Sequence, residues 1–169
     1  LGVRTMFNVL GPLTNPAGAE NQVMGVFHPD LVGIQARVLQ RLGSRHVLVV
    51  NGSDGLDEIT ISGPTNIAEL KDGEVSEYIV TPQDFGLKAT PLDSIRVATV
   101  EEAKAMLLSV LDNQPGAARD IVQLNAGAAI YTAGLSATLA EGVRKAAEVI
   151  ASGAAKHKLA QLIAISHEA

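Results

Sequence analysis

Three carboxylates fall within five residues, Asp54, Asp57 and Glu58, in the run Asn51-Gly52-Ser53-Asp54-Gly55-Leu56-Asp57-Glu58. Adjacent Asp57 and Glu58 offer hard oxygen donors of the kind Mg²⁺ takes: one or two carboxylates, completed by waters and substrate phosphates. The same pair also reads as a solvated acidic loop, because surface acids are common. Position keeps the first reading open. Val47-Leu48-Val49-Val50 reads as a buried strand, and Gly52 and Gly55 break it. Ligands of open α/β sheets gather beyond the carboxyl ends of the strands. Asp54 reads more simply as a turn residue bonding its own backbone.

The other residues that could do chemistry are sparse. His28 precedes Pro29 at a strand end and could face a cleft; His46 opens a strand; His157 and His167 fall on a terminal helix and read as solvated. None has a second His or Cys at metal-ligand spacing. With no cysteine in 169 residues, disulfides, thiolate catalysis and Cys-based zinc sites are excluded. A net charge of −5 without a basic stripe argues against a nucleic-acid partner. No apolar run reaches membrane-spanning length and no signal-peptide pattern opens the chain, so a cytoplasmic location fits.

The elements that must position these residues follow from periodicity. The length suits one ordinary domain, and with aromatics at 3% the core must be Leu, Val, Ile and Ala. Val3, Met6, Phe7 and Leu10 are spaced as on a helix, stopped by Gly11-Pro12. Gln22 to Phe27 reads as a strand. Pro29 and Asp30 start a helix with Leu31, Ile34, Val38, Leu39 and Leu42 on one face, and His46 to Val50 is the next strand. Such a strand–helix–strand unit predicts a parallel pair with a right-handed crossover. Asn66 to Val80 alternates with period two around Lys71-Asp72-Gly73, an antiparallel hairpin signal. Pro82 to Pro91 reads as a connecting loop. Thr99-Val100-Glu101-Glu102 resembles a capping box opening a helix through Leu111. Three more helices are expected over 117–133, 137–152 and 154–167, with Gly134 and Gly153 as stops. Gly127, inside the first of these, costs about 1 kcal/mol relative to Ala and so signals close approach of another backbone or of a ligand.

The segment Gly2-Val3-Arg4-Thr5-Met6-Phe7-Asn8-Val9-Leu10-Gly11-Pro12-Leu13-Thr14-Asn15-Pro16-Ala17 resembles the hinge of the anthranilate phosphoribosyltransferases. Asp54-Gly55-Leu56-Asp57-Glu58, Asn125-Ala126-Gly127-Ala128-Ala129 and Glu141-Gly142-Val143 fall where that family carries matching runs. The resemblance implies a two-domain enzyme of tryptophan biosynthesis, usually a homodimer using Mg²⁺, which joins anthranilate to the ribose C1 of phosphoribosyl pyrophosphate. It implies an α/β fold like that of the nucleoside phosphorylases: a mostly parallel sheet flanked by helices, with one antiparallel hairpin. On this reading 1–17 is a hinge remnant of the small helical domain and 18–169 the C-terminal part of the large α/β domain. The family's Gly-Thr-Gly-Gly-Asp pyrophosphate loop, its Lys-His-Gly-Asn segment and the arginine that grips anthranilate are expected upstream of Leu1, and a chain lacking them is not a complete enzyme.

By the same resemblance Asp57 and Glu58 match the pair that binds one of two Mg²⁺ ions. Gly11 and Pro12 match a stretch lining the anthranilate tunnel; as residues they equally read as a helix stop. Arg4 either pairs with a carboxylate or phosphate of substrate or makes a structural salt bridge in the hinge. No residue of this chain is expected to act as a catalytic acid, base or nucleophile. Where the family commonly has His, this chain has Asn51, which hydrogen-bonds but carries no charge. The alternatives are a pyrimidine nucleoside phosphorylase-like enzyme, a nucleic-acid-binding relative of the same fold, and a folded but inactive fragment. The acidic charge and the intact Asp57-Glu58 pair argue against nucleic acid.

Overall fold

The computed structural model describes residues 7–168, with side chains placed over 9–167. Arg4 lies outside the described residues. A short helix α1 (Phe7–Leu10) runs into a single 3-10 turn at Gly11–Leu13 and then an open loop. Strand β1 (Asn21–Gly25), helix α2 (Asp30–Arg41) and strand β2 (His46–Gly52) form the expected unit, with Asn21 to Gly25 paired in parallel to His46 to Val50. A twelve-residue loop, 53–64, returns the chain as β3 (Thr65–Lys71), antiparallel to β2. β4 (Glu74–Val80) closes the sheet in the order β1-β2-β3-β4. The β3–β4 turn is the anticipated one: Asp72 and Gly73 both hold positive φ, 52° and 81°, as a two-residue hairpin with matching twist requires.

Helices α3 (Val100–Leu111), α4 (Ala117–Thr132), α5 (Leu139–Ala151) and α6 (Ala154–Glu168) follow. Thr99 and Glu102 form the capping box at the start of α3, each side chain bonding the other's backbone N–H. The stretch read as a loop at 82–91 contains a 3-10 turn at Pro82–Phe85 with a capping box of its own, Thr81 and Asp84. The α/β class stands, but the sheet is less parallel than expected. Among the described residues only β1–β2 is parallel, because the loop carrying the carboxylates reverses the chain.

β2 is the spine. All seven of its residues are buried, and alternation sends Leu48 and Val50 to one face and Val47 and Val49 to the other. Leu48 and Val50 pack with Ile67 of β3, Ile59 and Ile61 of the loop, and Leu124, Ala128, Leu139 and Val143 from α4 and α5. Val47 and Val49 pack with Met24, Ala68 and Leu70 against Val32, Ala36 and Leu39 of α2. Each Val, Leu, Ile or Met among them contributes about 1.5–3 kcal/mol when fully buried. The face expected on α2 is therefore rotated. Leu39 is inside as anticipated and Leu31 and Val38 are half-buried, but Ile34 (55% exposed) and Leu42 (61% exposed) point outward. The apolar arc of this helix is wider than the face that docks, and the direction of the crossover onto the sheet selects which part of it is buried.

Candidate active site

The loop beyond β2 folds around its own polar groups. Gly52 N–H donates to the Leu56 carbonyl at 2.8 Å and Ser53 N–H to that of Pro64 at 2.9 Å. Asp54 is the turn residue anticipated: its Oδ1 accepts from Leu56 N–H at 3.1 Å. Its Oδ2 accepts short hydrogen bonds from the Thr60 and Ser62 hydroxyls. Burial works to raise the Asp54 carboxyl, but the bonds from Ser62, Thr60 and Leu56 outweigh it and hold the group below its ordinary range. Asp54 is thus committed to loop structure.

Asp57 and Glu58 are left at the surface, both exposed, immediately before the buried Ile59. Two contacts fix them there. On one side is β1: a Cβ built on Gly25 would lie 1.6 Å from the Asp57 carbonyl oxygen, so the loop rests directly on the Gly25 backbone. On the other is α4, where Asn125 brackets Ile59. Asn125 Oδ1 accepts from Ile59 N–H at 2.9 Å, and its Nδ2 donates to the Ile59 carbonyl at 2.9 Å and to that of Ile121 at 3.0 Å. Local desolvation first, and the neighbouring Asp57 charge second, raise the Glu58 carboxyl above its usual range.

Asp57 and Pro12 line the same cavity, of about 110 Å³, together with Val9, Gly25, Phe27 and Gln35. The structure so brings one of the anticipated acidic residues to the 3-10 turn that follows α1. Gly11 is exposed and opens the 3-10 turn, with its carbonyl accepting from Thr14 N–H at 3.2 Å. Nothing lies within 4 Å of where a Gly11 Cβ would stand, so the described fold does not itself demand glycine there. Gln35 is a member that periodicity missed. It is 2% exposed, its Nε2 donates to the Val9 carbonyl at 3.2 Å, and its Oε1 has no partner among the described residues. A glutamine amid the apolar positions of a helix was its only signal.

Asn51 is buried and donates from Nδ2 to the Val26 carbonyl at 2.7 Å, extending the β1–β2 ladder by a side chain. His28 is exposed, its Nδ1 3.3 Å from the Asp30 backbone nitrogen at the start of α2; His157 and His167 are exposed. His46 sits at the opposite end of β2 from the acidic loop, in a polar network that sequence patterning did not reveal. Its Nε2 lies 3.0 Å from Glu69 Oε1. Glu69 also accepts from the hydroxyls of Tyr131 at 2.7 Å and Tyr78 at 2.9 Å, while Lys71 donates to the Tyr131 hydroxyl at 3.1 Å. Burial first pushes both tyrosines up; the Glu69 charge and hydrogen bond add to it at Tyr78, and at Tyr131 the Glu69 hydrogen bond adds to it against the opposing Lys71.

The donor set beyond β2 fits Mg²⁺. Among the described residues no group of three or more His, Cys, Asp or Glu converges on one point. Two adjacent exposed carboxylates, one of them raised in part by its neighbour's charge, suit a cation whose remaining ligands are water and phosphate.

The loop thus crosses from the end of a parallel strand to an antiparallel one, presents the acidic pair, and brings Asp57 to one cavity with Pro12. Residues 1–156 match the model of the glycosyl transferase family, a/b domain, and the chain belongs to that family. It is 64% identical over 168 residues to an anthranilate phosphoribosyltransferase of Laribacter hongkongensis, covering 99% of this chain and 49% of that protein. The one from Nitrosomonas eutropha matches at the same identity and coverage. The chain spans about half the length of the curated relatives it matches. Among solved structures, the anthranilate phosphoribosyltransferase of Thermus thermophilus superposes with a TM-score of 0.87 at 43% identity, over 96% of this chain and 48% of that one. The Saccharomyces cerevisiae protein in complex with PRPP and Mg superposes with a TM-score of 0.80 at 28% identity, over 94% and 46%.

Proposed function

We propose that this chain is part of a homodimeric, cytoplasmic anthranilate phosphoribosyltransferase serving tryptophan biosynthesis. Residues 1–17 would be its hinge and 18–169 the C-terminal part of its large domain. The reaction joins the anthranilate amine to C1 of 5-phosphoribosyl 1-pyrophosphate: the N–C1 bond forms, the C1–O bond to pyrophosphate breaks, and the amine loses a proton. The observation carrying this reading is the acidic pair beyond β2, seated through Asp57 on the Gly25 backbone, with Asp57 lining one cavity with Pro12.

In this reading Asp57 and Glu58 hold a Mg²⁺ ion, which when bound neutralises the departing diphosphate oxygens. The chain's own contribution is positioning. The carboxylates are exposed at the loop surface, where a cation could be shared between them and a diphosphate. Asp54, already saturated by hydroxyls, keeps the loop in shape and leaves the pair to the ligand. Gly11 and Pro12 present a side-chain-poor surface on which an aromatic ring can lie, and Arg4 would supply a cation for a substrate carboxylate or phosphate beside the arginine expected upstream of Leu1. Asn51 is occupied by Val26 and takes no proton, so proton removal falls to solvent or to residues beyond this chain.

The test is the double substitution Asp57→Asn with Glu58→Gln in the full-length protein containing this chain. Anthranilate fluorescence decay with phosphoribosyl pyrophosphate and Mg²⁺ should slow about a hundredfold or more, as when preorganised charge stabilisation is removed elsewhere, with circular dichroism unchanged. An undiminished Mg²⁺-dependent rate would sink the assignment.

A further inference from the structure

We infer that Asn125, on α4, is a positioning residue for the acidic pair and that it sets how tightly the loop engages Mg²⁺ with a diphosphate; the inference rests on the metal reading above. Asn125 comes from a helix 66 residues further along the chain from Ile59, yet it satisfies both backbone groups of Ile59. That two-point bracket copies the way a neighbouring strand would pair, at a place where the chain has left the sheet. Because Ile59 follows Glu58 directly, fixing its peptide groups fixes the direction in which the two carboxylates leave the backbone. The third bond, from Nδ2 to the Ile121 carbonyl, locks the Asn125 amide so that it cannot swing away.

The opposite side of the loop has no freedom either, since the Asp57 carbonyl sits on the Gly25 backbone. With β1 as a floor and Asn125 as a clamp, the pair is held through its backbone, and its carboxylates are left for a ligand. Outer partners that orient metal-binding groups typically govern metal affinity by 10–100-fold. α4 itself is braced: Gly127 and Gly142 bring it against α5 so closely that a Cβ on Gly142 would stand 2.3 Å from the Gly127 carbonyl oxygen. The acidic loop is thus tied to the helical layer by the Asn125 amide, beside the apolar packing of Ile59 and Ile61 on α4 and α5.

The experiment compares Asn125→Ala, Asn125→Asp and Thr132→Val in the full-length protein. Thr132, on the same helix, donates to carbonyls of its own helix at Ala128 and Ala129, so its variant controls for helix destabilisation alone. Two quantities are read: the Mg²⁺ concentration giving half-maximal rate at fixed phosphoribosyl pyrophosphate, and hydrogen exchange at the Ile59 amide. Asn125→Ala should raise the half-saturating Mg²⁺ about tenfold, recover most of its rate at high Mg²⁺, and speed exchange at Ile59. Thr132→Val should do neither. Asn125→Asp keeps the acceptor for Ile59 N–H but loses both donated bonds, so it should fall between; it is read in place of Asn125→Ala if that variant does not accumulate folded. Faster exchange with an unmoved Mg²⁺ requirement, in a protein whose Asp57→Asn/Glu58→Gln variant does shift it, overturns the positioning role and leaves the metal reading standing. If the double variant leaves the Mg²⁺ requirement unmoved as well, the metal reading has failed and the inference falls with it.

Discussion

Glu58 and Asp54 show how two carboxylates on one loop come to opposite behaviour. Asp54 accepts hydrogen bonds from Ser62, Thr60 and Leu56 that favour its charged form; Glu58 is dominated by desolvation and by the Asp57 charge beside it. A carboxyl raised in the folded state binds its proton more tightly there, so its ionised form costs stability. For Glu58 that cost is absent below the ordinary value of 4.5, builds as pH rises from there, and is full above the raised value. Glu58→Gln should therefore raise the thermal midpoint of the metal-free, full-length protein at pH 7.5. The gain should be under about 1 kcal/mol because solvent screens an exposed group, and it should vanish by about pH 4; melts at the two pH values check it. For Asp54 the sign reverses: its contribution is present at neutral pH and lost as pH falls below its ordinary value of 3.8. The acidic pair itself was legible from residue type and from its place after a β-branched run. The bracket from Asn125 was not, because nothing in a sequence pairs an amide with a backbone group 66 residues away.

At the scale of elements, α4 does more than its weak amphipathicity suggests. A glycine in mid-helix signalled close approach, and the structure supplies the partner: a Gly127 Cβ would stand 2.5 Å from the Val143 backbone of α5. Gly127→Ala should force α4 and α5 apart despite its better helix propensity, costing about 1–3 kcal/mol as overpacking does. Denaturant unfolding of the full-length protein should show a lower midpoint with an unchanged slope. The start of α3 was readable for a local reason, Thr99 with Glu102, whereas α5 begins at Leu139 rather than at the expected 137, because the Thr138 hydroxyl caps it by accepting from Glu141 N–H at 3.1 Å. The buried face of α2 was not, because Ile34 and Leu42 are as apolar as Val32 and Leu39 and only docking against β2 and β3 distinguishes them.

At the scale of the whole molecule, two cores lie on opposite faces of one sheet, and β2 is buried between them along its whole length. Since β2 contributes Leu48 and Val50 to one and Val47 and Val49 to the other, neither core can open without exposing it. Native-state hydrogen exchange in the full-length protein should accordingly place the β2 amides among the slowest, exchanging only with global unfolding, while those of α6 exchange by local opening. The apolar residues of α6, Leu162 at 64% and Ile165 at 64% exposure, lie off both cores. Slow exchange in α6 and fast exchange in β2 would contradict this division.

By itself the sequence determined the strand–helix–strand unit, the Asp72-Gly73 hairpin, the capped start of α3 and the acidic run after Val50, because each depends on side-chain type and on spacing within one or two neighbouring elements. Tertiary structure alone decided the antiparallel return after the loop, the buried face of α2, and the joining of His46, Glu69, Tyr78 and Tyr131 into one network. It also decided the seating of the acidic pair between Gly25 and Asn125 and the meeting of Asp57 with Pro12 at one cavity. Those outcomes depend on which distant surfaces meet, and local propensity contains no term for that.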